Sequence, residues 1–371
     1  MKFDHFKSPQ AAHVILEDIR RTVTRPWTIM EVCGGQTHAI INCGIDQLLP
    51  PEVRLVHGPG CPVCVTPIEL IDQAIAYAKL PNTVLASFGD MLRVPGSHGN
   101  LFEARADGGR VEIVGSALEA LAYARNHRDL NVIFFAVGFE TTAPSTAIAA
   151  KQAVREELAN FSILSAHVLV TPAMVSLVSG PSPIVKAYLA AGHVATVMGA
   201  QGYEILSHEF EIPVVITGFD LVDLLLGIRA AVHQLERGTA RVENMYARVV
   251  RDEGNCAARE LLGDVFRPED RVWRGIGMIP QSGLRLRDQY AHLSPPQLSH
   301  VQGSNSHESA DCCAGEILQG KKSPLDCPLF GNKCDPVHPL GAPMVSSEGA
   351  CSAYFANHRR SLHVANREAG R

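Results

Sequence analysis

The chain has 371 residues, 46% of them hydrophobic and 19% charged, with a formal net charge of −5. That apolar content is ample for a large buried core, and the length suggests two or three domains. The charge balance gives no reason to expect nucleic acid or an anionic membrane surface as partner. No run approaches the ~18 apolar residues of a membrane span. Met1 to Gln10 mixes Lys2, Asp4 and Lys7 with single apolar residues and lacks the apolar core of a signal peptide, so a soluble, cytoplasmic protein is expected.

Taken in order, Ser8-Pro9 opens a helix carrying Val14, Ile15, Ile19 and Val23 on one face, and Thr28 to Val32 reads as a strand. Cys33-Gly34-Gly35-Gln36-Thr37-His38 reads as the loop at its end, with a short helix from Ala39 to Ile45. Val53 to Val56 is a second short strand, leading into His57-Gly58-Pro59-Gly60-Cys61-Pro62-Val63-Cys64, too rich in Gly and Pro for the interior of an element. Thr66 and Glu69 read as a capping box with Pro67 at the first helical position, which would set Cys64 just ahead of a positive helix end that favours a thiolate. Thr83 to Phe88 is an apolar strand ending in Gly89-Asp90.

Arg110 to Val114 is strand-like, and Ser116 with Glu119 caps a helix to about Asn126. Asn131 to Val137 is the plainest buried strand, closed by Gly138-Phe139-Glu140-Thr141-Thr142. A helix from Ser145 to Leu158, a strand from Ser162 to Val170 and a helix opened by Thr171-Pro172 follow. His193 to Met198 and Val214 to Thr217 read as strands, and Leu221 to Leu235 as a helix. Short apolar strands alternating with helices predict an α/β fold with two Rossmann-like parallel-sheet lobes, residues 1–125 and 126–240, with sites beyond the C-terminal strand ends. Residues 241–371, polar and rich in Pro, Gly and Cys, read as a smaller irregular C-terminal domain entered through a flexible His300 to Ser309.

The ten cysteines carry the chemistry. An intracellular chain of this size needs no disulfide framework, so clustering points to metal or redox chemistry. Cys312 or Cys313, with Cys327, Cys334 and Cys351, can hold zinc or an iron–sulfur cluster; the wide, unequal gaps favour a [4Fe–4S] cluster over paired zinc knuckles. Cys61 and Cys64 suit a reversible dithiol or half a zinc site completed by Cys33 with Cys43 or His38. Cys33, followed by two glycines, leaves room for a bulky ligand. His38 is a second ligand, a proton donor or a polar helix cap. Asp90 and Glu140 are candidate general acids, and Cys256 is expected to be buried and inert. No P-loop is present, and Gly34-Gly35 is too weak a signal for a nucleotide.

Several stretches resemble the HypD family of hydrogenase maturation factors. They are Met30-Glu31-Val32-Cys33-Gly34-Gly35 with Thr37-His38-Ala39-Ile40, Val56 to Cys64, and Phe88-Gly89-Asp90 with Arg93-Val94-Pro95-Gly96. Gly138 to Thr142, Cys327-Pro328-Leu329-Phe330-Gly331 and Met344 to Cys351 match as well. The resemblance implies a scaffold for the Fe(CN)2CO moiety of [NiFe]-hydrogenase, working with a HypC-type small chaperone and a HypE-type cyanide donor. It implies that Cys33 is the thiolate on the nascent iron, that Cys61 and Cys64 are the redox pair with His38 in the same cleft, and that Cys313, Cys327, Cys334 and Cys351 hold a [4Fe–4S] cluster. Soft thiolates suit low-spin iron with strong-field ligands. The chain departs from the family pattern at Gln36, usually His, at Met245, often Gln, and at Ala314, where the usual Cys is replaced and Cys313 or Cys312 must serve. The rival reading is a stand-alone iron–sulfur disulfide oxidoreductase, and a third is a structural zinc protein.

Overall fold

Parallel strands dominate because the apolar runs are continuous rather than alternating, as strands covered on both faces must be. The computed structural model describes residues 8–180, 182–298 and 311–357. In chain order the strands are β1 (Trp27–Glu31), β2 (Val53–His57), β3 (Thr83–Ser87), β4 (Val111–Ile113), β5 (Asn131–Gly138), β6 (Phe161–His167), β7 (Ala187–Ala191), β8 (Val214–Thr217), β9 (Val242–Asn244), β10 (Phe266–Trp273) and β11 (Gly277–Leu286). They form a five-stranded sheet, β2-β1-β7-β8-β9, a four-stranded sheet, β4-β3-β5-β6, and the hairpin β10-β11. Every pair in the two larger sheets is parallel. The expected α/β architecture of two parallel-sheet lobes is therefore present.

β5 shows how one strand serves two cores. Val132, Phe134 and Ala136 pack among the alanines of helices Ala117–Asn126 and Ala143–Arg155, while Ile133, Phe135 and Val137 pack among Ile71, Ala74 and Leu101. In the larger sheet, Ile29, Leu189 and Val215 face helices Pro9–Thr22 and Leu221–Arg237, and Met30, Tyr188 and Ile216 face the opposite layer. The period of two along each strand makes this division. Caps behave as their sequences predict at two helix starts: Ser8 accepts from Ala11 N, and Ser116 accepts from Glu119 N while Glu119 accepts from Gly115 N.

The strands do not divide the chain at residue 125. β3 and β5, on either side of it, pair from Thr83↔Asn131 onward. β1 and β2 join β7–β9 instead, so the four-stranded sheet is inserted between strands of the five-stranded one. Residue 241 is no boundary either, since β9 pairs with β8. The hairpin docks on the smaller sheet, with Leu169 N donating to Ser282 O at 2.8 Å. Two local expectations also change. The strand expected over His193 to Met198 is helix Gly192–Met198, and the strand precedes it at Ala187–Ala191. Those alanines lack the β-branched signal, and burial between β1 and β8 overrides their weak propensity. Cys256 is exposed at a helix start, not buried. The segment His300 to Ser309 and residues 1–7 lie outside the described residues. Among the described residues no helix is long and apolar enough to cross a membrane.

Candidate functional site

Adjacent strands β1 and β2 end at Glu31 and His57, which stand in register. The chain leaves each strand through a Cys-bearing segment, and glycines let the two cross. A Cβ on Gly60 would lie 2.2 Å from Cys33 N, and one on Gly34 would lie 2.3 Å from Glu348 O. No side chain fits either place, so the Cys61 segment rests on the Cys33 backbone, and residue 348 of the C-terminal segment lies directly against Gly34. Instead of a loop, Cys33 caps helix Gly34–Cys43, which starts at once.

A buried hydrogen-bond network fixes this crossing. The Glu31 carboxylate receives Cys33 N at 2.8 Å, His57 Nδ1 at 2.7 Å and the Thr37 hydroxyl, and Tyr354 OH lies 3.0 Å from His57 Nε2. With His57 donating through Nδ1, its Nε2 is the acceptor for the tyrosine. Two chain segments thus meet on one fully buried carboxylate, and Tyr354 joins a third to it through His57. Each donor would be costly to leave unmet in this interior.

Cys33 is 3% exposed. Burial pushes the thiol up to about 12, the backbone N–H of Gln36 opposes that, and the charges of Glu31 and Glu348 add to it. His193 Nδ1 stands 3.8 Å from the sulfur, its ring tilted against Phe219 at 5.4 Å between centroids. His193 is an exposed residue overall, and desolvation holds its imidazole pKa below the usual histidine value. Gln36, at the family-variant position, is buried and donates to Ala190 O and Thr217 O at 3.3 and 3.4 Å, a structural role between β7 and β8. His38 is exposed on the same helix, while His193 faces the thiol.

Cys61 and Cys64 are joined as a disulfide, Cα–Cα 5.2 Å, within the helical turn Pro62–Val65. Cys64 N donates to Cys61 Sγ at 3.2 Å. The expected capping box does not form: Thr66 donates its hydroxyl back to Pro62 O at 2.8 Å, and helix Ile68–Ala78 starts behind Pro67 without a side-chain cap. The pair is therefore not an open thiolate at a helix end. It is buried against Phe139, Val168, Trp273 and Leu318, and Cys33 and Cys43 do not join it in a zinc set: Cys43 is exposed at the far end of its helix.

Around this junction lie three carboxyl groups. Glu140, 1% exposed after β5, accepts from Val170 N at 2.9 Å, and its Oε2 meets no hydrogen-bonding partner among the described residues. Burial raises its pKa to about 7. Glu348 is raised by desolvation and by the charge of Asp90, which sits in the turn Gly89–Arg93. Three residues on, Arg93 donates to Val345 O at 2.9 Å and Pro336 O at 3.0 Å, tying that turn to the C-terminal segment.

The C-terminal thiols gather separately. Cys313, Cys334 and Cys351 are buried with Ile317, Leu329 and Met344, and Cys312 and Cys327 pack on that cluster. Burial and then the neighbouring thiols, Cys312 first, raise the Cys351 pKa far above its usual value. Among the described residues no three His, Cys, Asp or Glu side chains converge on a point as one ion would require. Five thiols around an apolar patch nonetheless fit the donor chemistry of an iron–sulfur cluster, whose separate irons each take one thiolate and so keep the ligands apart.

His193, Glu31, His57, Tyr354 and Glu348 escaped sequence reasoning. A signal existed for two of them. Glu31 is an acidic residue inside an apolar strand, where burial demands partners, and His193 follows Gly192 directly after an apolar run.

The chain matches the family model HypD, described as "Hydrogenase formation hypA family", over residues 10–358. It is 42% identical to the hydrogenase maturation factor HypD of Escherichia coli, covering 96% of this chain and 98% of that one. Against the HypD of Azotobacter vinelandii it is 44% identical, covering 92% of each chain. HypD2 of Bradyrhizobium diazoefficiens is 39% identical over 99% of this chain and 100% of its own. With the motifs at Cys33, Cys61–Cys64 and Cys327–Cys351 spread along that length, the chain belongs to the HypD family of hydrogenase maturation factors.

Proposed function

We propose that this protein serves hydrogenase maturation as a scaffold in the cytoplasm, holding the Fe(CN)2CO moiety of a [NiFe]-hydrogenase on Cys33 while its ligands are installed. The observation that carries the reading is the crossing at Gly60, which seats the Cys61–Cys64 segment on the Cys33 backbone. A lone buried thiol and a redox-active pair then share one junction. To bind iron, Cys33 must release its proton, and His193 Nδ1, 3.8 Å away, is positioned to accept it. A HypC-type chaperone would add a second thiolate from the solvent side, and a HypE-type protein would deliver cyanide.

Reducing Cys61–Cys64 breaks one S–S bond and takes up two electrons and two protons, giving two thiols. The thiols of Cys327, Cys334 and Cys351, with one of the neighbours Cys312 and Cys313, would hold a [4Fe–4S] cluster. When bound, such a cluster supplies electrons one at a time. The chain's own residues bury the disulfide, orient Cys33 and keep water from the sulfur.

The test is anaerobic co-purification with the HypC-type partner followed by infrared spectroscopy. Cyanide and carbonyl stretching bands are expected, and they should disappear in Cys33→Ala. Their absence under every competent condition would leave the stand-alone disulfide oxidoreductase as the better reading.

A further inference from the structure

Strands β7, β8 and β9 lie side by side, and each is followed closely by an aromatic or imidazole ring. His193 follows β7 and Phe219 follows β8, each directly behind a glycine, while Tyr246 follows β9 and stands outside the site described above. We propose that Tyr246, clamped by the Asp223–Arg248 ion pair, is a positioning residue for the Cys33 pocket: its ring fixes the backbone that carries His193 and Phe219 to the thiol. Its consequence for maturation rests on the reading of Cys33 as the iron-binding residue.

The contact is one of ring against bare backbone. A Cβ on Gly192 would lie 2.6 Å from Tyr246 Cδ1, and one on Gly218 would lie 2.6 Å from Tyr246 Cε2. One ring therefore rests on both of the glycines that precede His193 and Phe219. Neither glycine adopts a positive φ, so the room taken by the ring, and not the backbone conformation, is what excludes a side chain there. The two residues that follow reach the site. His193 Nδ1 is 3.8 Å from Cys33 Sγ, and a Cβ on Gly35 would meet Phe219 Cε1 at 3.3 Å.

The ring is itself held. Arg248 lays its guanidinium over it, 4.3 Å from the centroid, and donates through Nη1 and Nη2 to the two oxygens of Asp223 at 2.8 and 2.6 Å. Asp223 is a buried carboxylate in the first turn of helix Leu221–Arg237, so the anchor belongs to the rigid layer behind β8. A planar, forked guanidinium can serve the carboxylate and the ring at once. Asn244 closes the turn: its Oδ1 accepts from Tyr246 N and its Nδ2 donates to Val250 O, both at 3.0 Å. Tyr246 packs on the layer that holds Cys33 and Val194, whereas Met245, at the family-variant position, packs against the core of the opposite layer.

The experiment exposes the full chain, purified anaerobically without metal, to iodoacetamide, and reads the alkylation rate of each cysteine by peptide mass spectrometry. Tyr246→Ala is expected to speed alkylation of Cys33 several-fold while Cys334 and Cys351, buried to a similar degree in the C-terminal group, keep their wild-type rates. Tyr246→Phe, which retains the ring, should match wild type. Arg248→Lys, which retains the charge but loses the fork, should speed Cys33 by less, and it carries the test if circular dichroism shows that Tyr246→Ala does not fold. Equal acceleration at all three buried cysteines would reduce Tyr246 to a general stability role and overturn the proposal. An unchanged Cys33 rate in Tyr246→Ala, or a Phe variant that behaves like the Ala variant, would overturn it too, and a wild-type rate in Arg248→Lys would strike the ion pair from the clamp. The iron reading fails separately, through missing cyanide and carbonyl bands in the wild-type complex, and no alkylation rate decides it.

Discussion

The two thiol centres are built by opposite means. At the Cys33 junction, strand ends in fixed register carry the cysteines, a buried carboxylate gathers three donors, and glycine-mediated backbone crossings leave no slack. At the C-terminal group Cys313 starts a five-residue helix, Cys327 ends a 3-10 turn, Cys334 lies in an isolated bridge and Cys351 stands near the start of a helical stretch, all around a small apolar patch. The first centre is organised by the protein alone. The second has its donors assembled but not converged, the condition in which a bound cofactor supplies much of the order. The difference teaches where rigidity is built in: at the junction where we propose that the iron moiety is held, the fold itself fixes the geometry.

That contrast can be broken in several ways. The largest effect is expected from Cys61→Ala or Cys64→Ala, which should abolish hydrogenase maturation in cells while leaving the circular dichroism spectrum unchanged; a fully active double variant would remove the redox role. Gly60→Ala should cost about 3 kcal/mol in denaturant unfolding, since its Cβ would overlap the Cys33 backbone rather than a movable side chain. An unchanged midpoint would show that the crossing has slack after all. Iron and sulfide loading should protect the chain beyond residue 311 from limited proteolysis, while leaving the Cys33 junction equally resistant with and without metal. Uniform protection would erase the contrast.

The smallest effect sharpens it through pH. Glu140 has its pKa raised from 4.5 to about 7 by burial, so the unfolded chain loses this proton first. Its contribution to stability is fully present below pH 4.5 and is lost as pH rises to about 7. Glu140→Gln keeps a neutral side chain, so the variant's unfolding midpoint should fall less than wild type's over that window. Identical pH slopes would place the carboxyl in a wetter site than its burial indicates.

Much of this was legible in the chain. The apolar run Asn131 to Val137 could only be a doubly covered strand, and Ser116 with Glu119 marked a helix start that forms as read. Cys33 and Cys61 were readable as strand-end residues, because glycines follow one and precede the other. Strand partnership was not legible, since each parallel crossover looks the same whichever sheet receives the next strand. Nor was the Thr66 cap, where a local bond to Pro62 O competes with the helix N–H groups and wins. His193 was hidden for a related reason: it becomes a neighbour of Cys33 only when β7 pairs with β1.

That pairing has a consequence for how the molecule forms. The four-stranded sheet is contiguous in sequence, whereas Cys33 and His193 are 160 residues apart and meet only across β1 and β7. Closing so long a loop is entropically costly until the inserted sheet has shortened it. The thiol pocket is therefore a late product of folding, and pulse-labelled hydrogen exchange should find β3 and β5 amides protected before those of β1 and β7. A newly made chain would then lack the Cys33 pocket, and with it the proposed iron site, until the rest of its architecture is in place.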